Sequence, residues 1–157
     1  ITVSDKGSQG EREDLSGPAI AKMLAGAAIS VAKTRVIPDE IDQISQAIVE
    51  FSDIEKLELI LTTGGTGVSP RDLTPDATIK VLDKEIPGIA EAMRHASLKI
   101  TPHGMISRAV AGIRGRSLII NLPGSPKAAT ENLAVVLPAL FHAIEKIQGD
   151  PRDCAQS

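Results

Sequence analysis

The chain has 157 residues, a net charge of −3, 42% hydrophobic residues, a single cysteine and only two aromatic rings, Phe51 and Phe141. That length suits one domain that buries roughly 70% of its unfolded surface, so no disulfide or structural metal is needed to hold it. The acidic balance argues against general nucleic-acid affinity, the scarcity of rings against a single-strand stacking platform, and the lack of any apolar run near about 20 residues against a membrane span.

Ile1-Thr2-Val3-Ser4 reads as the second half of a strand, with the opening residues of the native start absent from this sequence. Ser16-Gly17-Pro18 reads as a helix start with proline in the first turn, after which Ile20, Met23 and Leu24 share a face. Residues 31–37 alternate apolar and polar side chains and stop at Pro38, which predicts a strand. Ile41, Ile44 and Ile48 mark the stripe of a following helix. Residues 57–63 form a short apolar run broken by Gly64-Gly65, a buried strand. Residues 76–82 after Pro75 and residues 87–98 are helices, the second with Ile89, Ala92, Met93 and Ala96 facing inward. Residues 112–115 add a hairpin-like excursion before an apolar strand at 117–122, stopped by Pro123-Gly124. The last helix starts near Pro126 and is expected to bend at Pro138, which lacks the N–H that a helix interior needs.

The order β-α-β-α-β-α-α-β-α predicts a single α/β layered domain with a mostly parallel sheet, spanning residues 1–148, with a loose tail at 149–157. The lone thiol, Cys154, sits in that tail. With no partner for it, no Cys/His cluster of zinc-ligand spacing and no signal-like start, a reducing cytoplasm is the plain expectation.

Chemistry concentrates after the strands. Thr62-Thr63-Gly64-Gly65-Thr66-Gly67 follows an apolar strand directly, and in a parallel sheet ligands bind beyond the strands' carboxyl ends. Three glycines in four positions let backbone N–H groups approach an anion, with Thr63 and Thr66 adding hydroxyls. No Gly-Lys-Ser/Thr follows, so this is not a Walker loop. Alone, the glycines could form a plain strand-to-helix turn, but two carboxylates weigh against that. Asp72 lies five residues past Gly67, and Asp39 ends another predicted strand. One or two carboxylates beside phosphate oxygens are what nucleotide-bound magnesium needs. For Asp39, metal binding and capping of the next helix are equally open, and Asp76 is read as a cap. Asn121, Leu122, Pro123, Gly124, Ser125, Pro126 and Lys127 form a second strand end that opens a helix, either an anion site or a Gly-Pro stop with a solvated lysine. Ser4-Asp5-Lys6-Gly7 and Ser107-Arg108 offer the same choice between ligand and loop. His95, His103 and His142 share no metal spacing and are read as structural or surface residues. Arg114 and Arg116 are read as solvated.

Along residues 1–148 the chain resembles the MogA/MoaB family of molybdenum-cofactor proteins. The resemblance rests on Ser4-Asp5-Lys6-Gly7, Ile37-Pro38-Asp39-Glu40, residues 61–76, Pro87-Gly88 with Glu91 and Arg94, Ser107-Arg108 and residues 118–127. Gly-Gly-Thr-Gly also occurs in competence-damage-type and molybdate-insertase domains. The longer string Thr-Thr-Gly-Gly-Thr-Gly-x-x-x-Arg-Asp-x-Thr-Pro-Asp-Ala-Thr is similar to the MogA side, while MoaB-type sequences tend to lack its Arg-Asp and Thr-Pro-Asp parts. The resemblance implies a three-layer α/β/α fold, a homotrimer, and molybdopterin adenylyltransferase activity with ATP and Mg2+. It implies catalytic and metal roles for Asp39 and Asp72, and nucleotide or molybdopterin contacts by Ser4, Asp5, Thr63, Gly64, Gly65, Thr66, Gly67, Ser107, Asn121, Pro123, Gly124, Ser125 and Lys127. The expected partners are small molecules, further copies of the chain and a MoeA-like molybdate insertase that takes the product, with no nucleic acid and no membrane. The rival readings are a non-catalytic molybdopterin-binding trimer of the MoaB type and a pyrophosphatase of the competence-damage type.

Overall fold

Two apolar runs, Leu59–Thr63 and Ser117–Leu122, pair in parallel at the centre of a six-stranded sheet, with Ile60 opposite Ile119 and Leu61 opposite Ile120. The computed structural model describes residues 1–151; Cys154 and the end of the expected tail lie outside them. In chain order the elements are β1 (Thr2–Val3), α1 (Asp5–Ser8), α2 (Ser16–Gly26), β2 (Val36–Ile37), α3 (Ile41–Val49) with a π-helical turn at Glu50–Ile54, and β3 (Leu59–Thr63). There follow α4 (Thr74–Ile79), β4 (Lys84–Glu85), α5 (Pro87–Leu98), a 3₁₀ turn at Pro102–Ile106, β5 (Ala111–Arg114), β6 (Ser117–Leu122) and α6 (Pro126–Ile147). The strand order is β2-β1-β3-β6-β5-β4; the first four strands are parallel, and β5 runs antiparallel to both its neighbours, β6 and β4.

Helices cover both faces. Leu118, Ile120 and Leu122 of β6 pack with Ile20 and Leu24 of α2, Met93 of α5 and Leu133 of α6. Ile119, one residue out of phase, packs on the opposite face with Ile44 and Ile48 of α3, Phe51 and Ala77. This two-residue alternation, buried on both sides, is how a parallel strand sits between two helix layers, and it gives the expected three-layer α/β/α architecture. No helix of the described residues is long and apolar enough to cross a membrane.

Several sequence expectations shift. Residues 31–35 are not strand, because β1 meets β2 only from Thr2 opposite Val36 onward. A strand exists by pairing, and alternation without a neighbour leaves the backbone irregular. A cavity of about 810 Å³ opens there, lined by Ile1, Leu24, Val31, Phe51, Leu61 and Phe141. In α5 the buried pair is Ala90 and Met93, three residues apart on one face, while Ala92 is exposed. The helix expected at 76–82 begins earlier, with Thr74 and Pro75 taking the first turn. α6 continues through Pro138 as one element. Pro138 and Ala134, whose carbonyl loses its helical donor, are both exposed, so water can serve that carbonyl. Arg114 is not solvated: it pairs with Asp53 and donates to the Val81 carbonyl at 2.9 Å. Arg116 donates to the Gln148 carbonyl at 2.7 Å. The excursion at 112–115 is the β5–β6 hairpin, turned at Gly115 with φ +54°.

Asn121 lies fully buried within β6. Its amide donates to the hydroxyls of Thr62 and Thr78, both at 2.9 Å, and its carbonyl accepts the Val110 N–H at 3.2 Å. One side chain thereby stitches β3, α4 and the approach to β5. Asn121→Ala leaves these buried groups unpaired and should lower stability by about 3 kcal/mol, measured by urea unfolding. A loss well under 1 kcal/mol would show that the stitch carries no weight.

Candidate active site

The carboxyl ends of β1, β2, β3 and β6 open on one edge of the sheet, and each feeds a loop rich in small or acidic residues. Gly64, the first residue past β3, has φ +102°, and a Cβ there would stand 2.2 Å from the Val3 carbonyl oxygen, so only glycine fits. Its N–H donates to the Leu122 carbonyl at 3.2 Å. Thr63 donates its hydroxyl to the Pro123 carbonyl at 2.6 Å, and Thr74 donates to the Gly64 carbonyl at 2.8 Å. The loops after β3 and β6 are therefore one body. Past them, the N–H groups of Gly65, Thr66 and Gly67 find no acceptor among the described residues. Three consecutive donors are thus left unspoken-for, with Thr66 itself buried, and such a row of backbone N–H groups suits an anion.

Two carboxylates flank these donors. A Cβ on Gly65, at φ +62°, would stand 3.0 Å from Asp39 Oδ1; one on Gly67 would stand 2.9 Å from Asp72 Oδ2. Asp39 does not cap α3: the cap position is Glu40, which makes no side-chain cap bond. Instead Asp39 Oδ2 accepts the Asp5 N–H at 2.9 Å, and Asp5 Oδ1 accepts the Asp39 N–H at 3.0 Å. This brace ties β1 to β2. Asp72 Oδ2 accepts the Ser69 N–H at 2.7 Å, which closes the turn that presents it. The Oδ1 atoms of Asp39 and Asp72 keep no hydrogen-bond partner among the described residues. Burial pushes the Asp39 carboxyl above the usual carboxylate range, and the neighbouring negative charges of Asp5 and Asp72 add to the rise against the Asp5 N–H and Arg71. Asp5 moves the other way, held below its usual value by the Arg71 guanidinium.

The remaining expected residues divide. Ser4 caps α1 by accepting the Gly7 N–H at 3.1 Å, and Ser125 caps α6 by accepting the Ala128 N–H at 3.2 Å. The Pro123 and Gly124 carbonyls are taken by Thr63 and Ser16. Lys127 is exposed and lies 3.8 Å from Glu131. Ser107 is half-buried beside the loop, because the next residue, Arg108, donates its N–H to the Thr66 carbonyl at 2.9 Å. Asn121 is a correction: its polar atoms are spent inside the protein and none faces a ligand. Asp76 is also a correction. The cap position of α4 is Leu73, and Asp76 pairs with Arg108 at 2.8 Å.

Sequence reasoning missed Arg71 as a site residue. Its guanidinium forks onto Asp5 at 3.0 and 2.8 Å and reaches Glu40 at 2.9 Å, clamping residues 66 and 31 positions away. Its place beside Asp72 in the motif was the available signal; the partners were not. Among the described residues no group of three or more His, Cys, Asp or Glu side chains is placed to hold a metal.

A sequence model of a family described as a probable molybdopterin binding domain matches residues 1–142. The chain is 48% identical to a gephyrin of Dictyostelium discoideum over 97% of its own length, and spans 22% of that larger protein. It is 43% identical to a molybdopterin adenylyltransferase of Helicobacter pylori strain J99, covering 96% of this chain and 86% of that one. A crystal structure of the molybdopterin biosynthesis enzyme MoaB of Thermus thermophilus superposes with a TM-score of 0.90 at 52% identity, covering 97% of this chain and 96% of the other.

The raised carboxyl of Asp39 sets a pH dependence. Ionising a group whose folded pKa is raised works against the fold. That penalty is complete above the folded pKa and fades as pH falls through it toward the unfolded value of about 3.9. Asp39→Asn keeps an oxygen to accept the Asp5 N–H. It should melt at or above the parent's temperature at pH 7 and lose that advantage near pH 4, followed by thermal melts at both values. A lower melting temperature at pH 7 would mean that the charge itself supports the fold.

Proposed function

Because the chain belongs to the family of probable molybdopterin binding domains, we propose that it acts in molybdenum-cofactor biosynthesis as a molybdopterin adenylyltransferase. It moves the adenylyl group of ATP onto the terminal phosphate of molybdopterin and releases pyrophosphate. The observation that carries this reading is the row of free N–H groups at Gly65, Thr66 and Gly67 between two carboxylates that each keep one oxygen unpaired.

The molybdopterin phosphate attacks the α-phosphorus of ATP in line as the bond to the pyrophosphate oxygen breaks. The nucleophile is already an anion, so no strong general base is required, in keeping with three histidines that are all exposed. The N–H groups of residues 65–67 hold the nucleotide phosphates and offset charge that grows on them. Asp72 and Asp39 would hold Mg2+, as suits an ion bound by one or two carboxylates. When bound, that ion supplies charge neutralisation on the phosphates. Ser107, Ser125 and Lys127 serve the molybdopterin side, and Asp5 with Arg71 keeps Asp39 in place.

The assembly is proposed as a homotrimer. Support comes from the family resemblance and from the exposed apolar residues Leu98, Ile100, Met105 and Ile106, surface that a lone protomer leaves in water. The same proposal places the protein in the cytoplasm, with a molybdate-inserting protein taking its product, and treats residues 1–148 as the working domain.

Asp72→Asn should cut pyrophosphate release from ATP and molybdopterin by roughly a hundred-fold or more with an unchanged melting temperature. Near-normal transfer would remove Asp72 from the mechanism. AMP formed by the parent without pterin would favour a pyrophosphatase, and pterin binding without turnover a scaffold. Light scattering at micromolar concentration should give three times the protomer mass; a monomer would contradict the assembly.

A further inference from the structure

Arg108 lies between the 3₁₀ turn and β5, 41 positions from Gly67, yet two of its three guanidinium nitrogens bond the loop that carries the phosphate donors and two reach the start of α4. Nε donates to the Gly67 carbonyl at 2.9 Å. Nη1 and Nη2 fork onto Asp76 at 3.1 and 2.8 Å, and Nη2 also donates to the Asp72 carbonyl. The backbone N–H of the same residue takes the Thr66 carbonyl at 2.9 Å. Four of the five guanidinium N–H donors are taken in this way, so Arg108 is committed mainly to the protein itself rather than to an anion, one of the two roles open to it in the sequence.

The geometry has a specific consequence. A peptide unit is planar and trans, so its C=O and N–H point in opposite directions. Holding the Thr66 carbonyl on Arg108 turns the Gly67 N–H away from Arg108, and holding the Gly67 carbonyl does the same for the Val68 N–H. The bond to the Asp72 carbonyl anchors the residue whose carboxylate lies over Gly67. Asp76 anchors the outer end of the guanidinium, and its carboxyl is held below the usual range by that contact. We propose that the Arg108 side chain positions the phosphate site, fixing the Gly67–Val68 peptide at the end of the donor row and the placement of the Asp72 carboxylate together. This rests on the reading of that loop as the nucleotide-phosphate site. Lysine cannot replace it, because an ammonium has no planar fork to span two backbone carbonyls and a carboxylate.

The test uses the full chain, a non-hydrolysable ATP analogue, and calorimetry with and without Mg2+. Arg108→Lys should weaken analogue binding in Mg2+ by roughly ten- to a hundred-fold, the range typical of losing a partner that orients a metal-binding carboxylate. Molybdopterin binding should change less than two-fold, and the melting temperature should stay close to the parent's. Asp76→Asn, which loosens only the anchor, should weaken analogue binding in the same direction by a smaller factor. Analogue binding by Arg108→Lys within two-fold of the parent overturns the proposal, as does an equal loss for analogue and molybdopterin that tracks the melting temperature. A parent that does not bind the analogue at all fails at the reading of the loop itself, which separates the two failures.

Discussion

Gly64 is the point at which three strand ends are forced into contact. Its Cα lies against the Val3 carbonyl on one side and against Gly124 on the other, where a Cβ on Gly124 would come within 3.1 Å. Its own N–H and carbonyl are taken by Leu122 and Thr74. No side chain fits between β1, β3 and β6 at this level, so the backbones approach as closely as two glycines allow. Everything that gives the edge its chemistry follows from that approach. The chain leaves Gly64 in a left-handed turn, the next three N–H groups face outward unpaired, and Asp39 and Thr74 close against Gly65.

The charges around this turn form a pattern more selective than an anion hole alone. Asp5, Asp39, Glu40, Asp72 and Asp76 crowd one edge, and the two arginines among them are already committed, Arg71 to Asp5 and Glu40, Arg108 to Asp76. The arginines shape the acidic loops but leave two carboxylate oxygens uncompensated. On the proposed reading, a bare polyphosphate approaching the loop N–H groups would meet those oxygens and be repelled, and a divalent cation between them would offset that repulsion. Donors and carboxylates together would then favour a metal-bound nucleotide over a free one, which neither would do alone.

Local chemistry was legible in the sequence where it is local in space. The glycine turn after an apolar run, the proline-started helices α5 and α6, and the hairpin at 112–115 all follow from short-range rules of periodicity and backbone freedom. Asp39 and Asp72 could be picked out because each sits just past a strand or glycine loop. Roles decided by distant partners could not be read. Asn121 looked like a ligand residue because it ends a strand beside Pro123-Gly124, and only the fold shows Thr62 and Thr78 already holding it. Asp76 looked like a cap because it follows Pro75, and only the fold brings Arg108 to it. The alternation at 31–37 was a true pattern, but strand formation also needs a neighbour in register, which a single segment does not reveal.

The place of β6 in the sheet has a consequence for how the protein comes into being. β6 is a central strand, yet it is made late: Asn121 bonds Thr62, 59 residues earlier, across the β3–β6 pairing. As a chain emerges from a ribosome, β3 keeps one bare hydrogen-bonding edge until residue 122 is available. The antiparallel β4–β5 pair has no sheet to join before then. Such an edge invites pairing with other chains, and contacts this distant in sequence form slowly. The anion loop cannot take shape ahead of them, because Gly64 is pinned by Leu122. Fragments that stop short of β6 would thus be both inactive and adhesive, and the site comes into existence only once β6 has been synthesised.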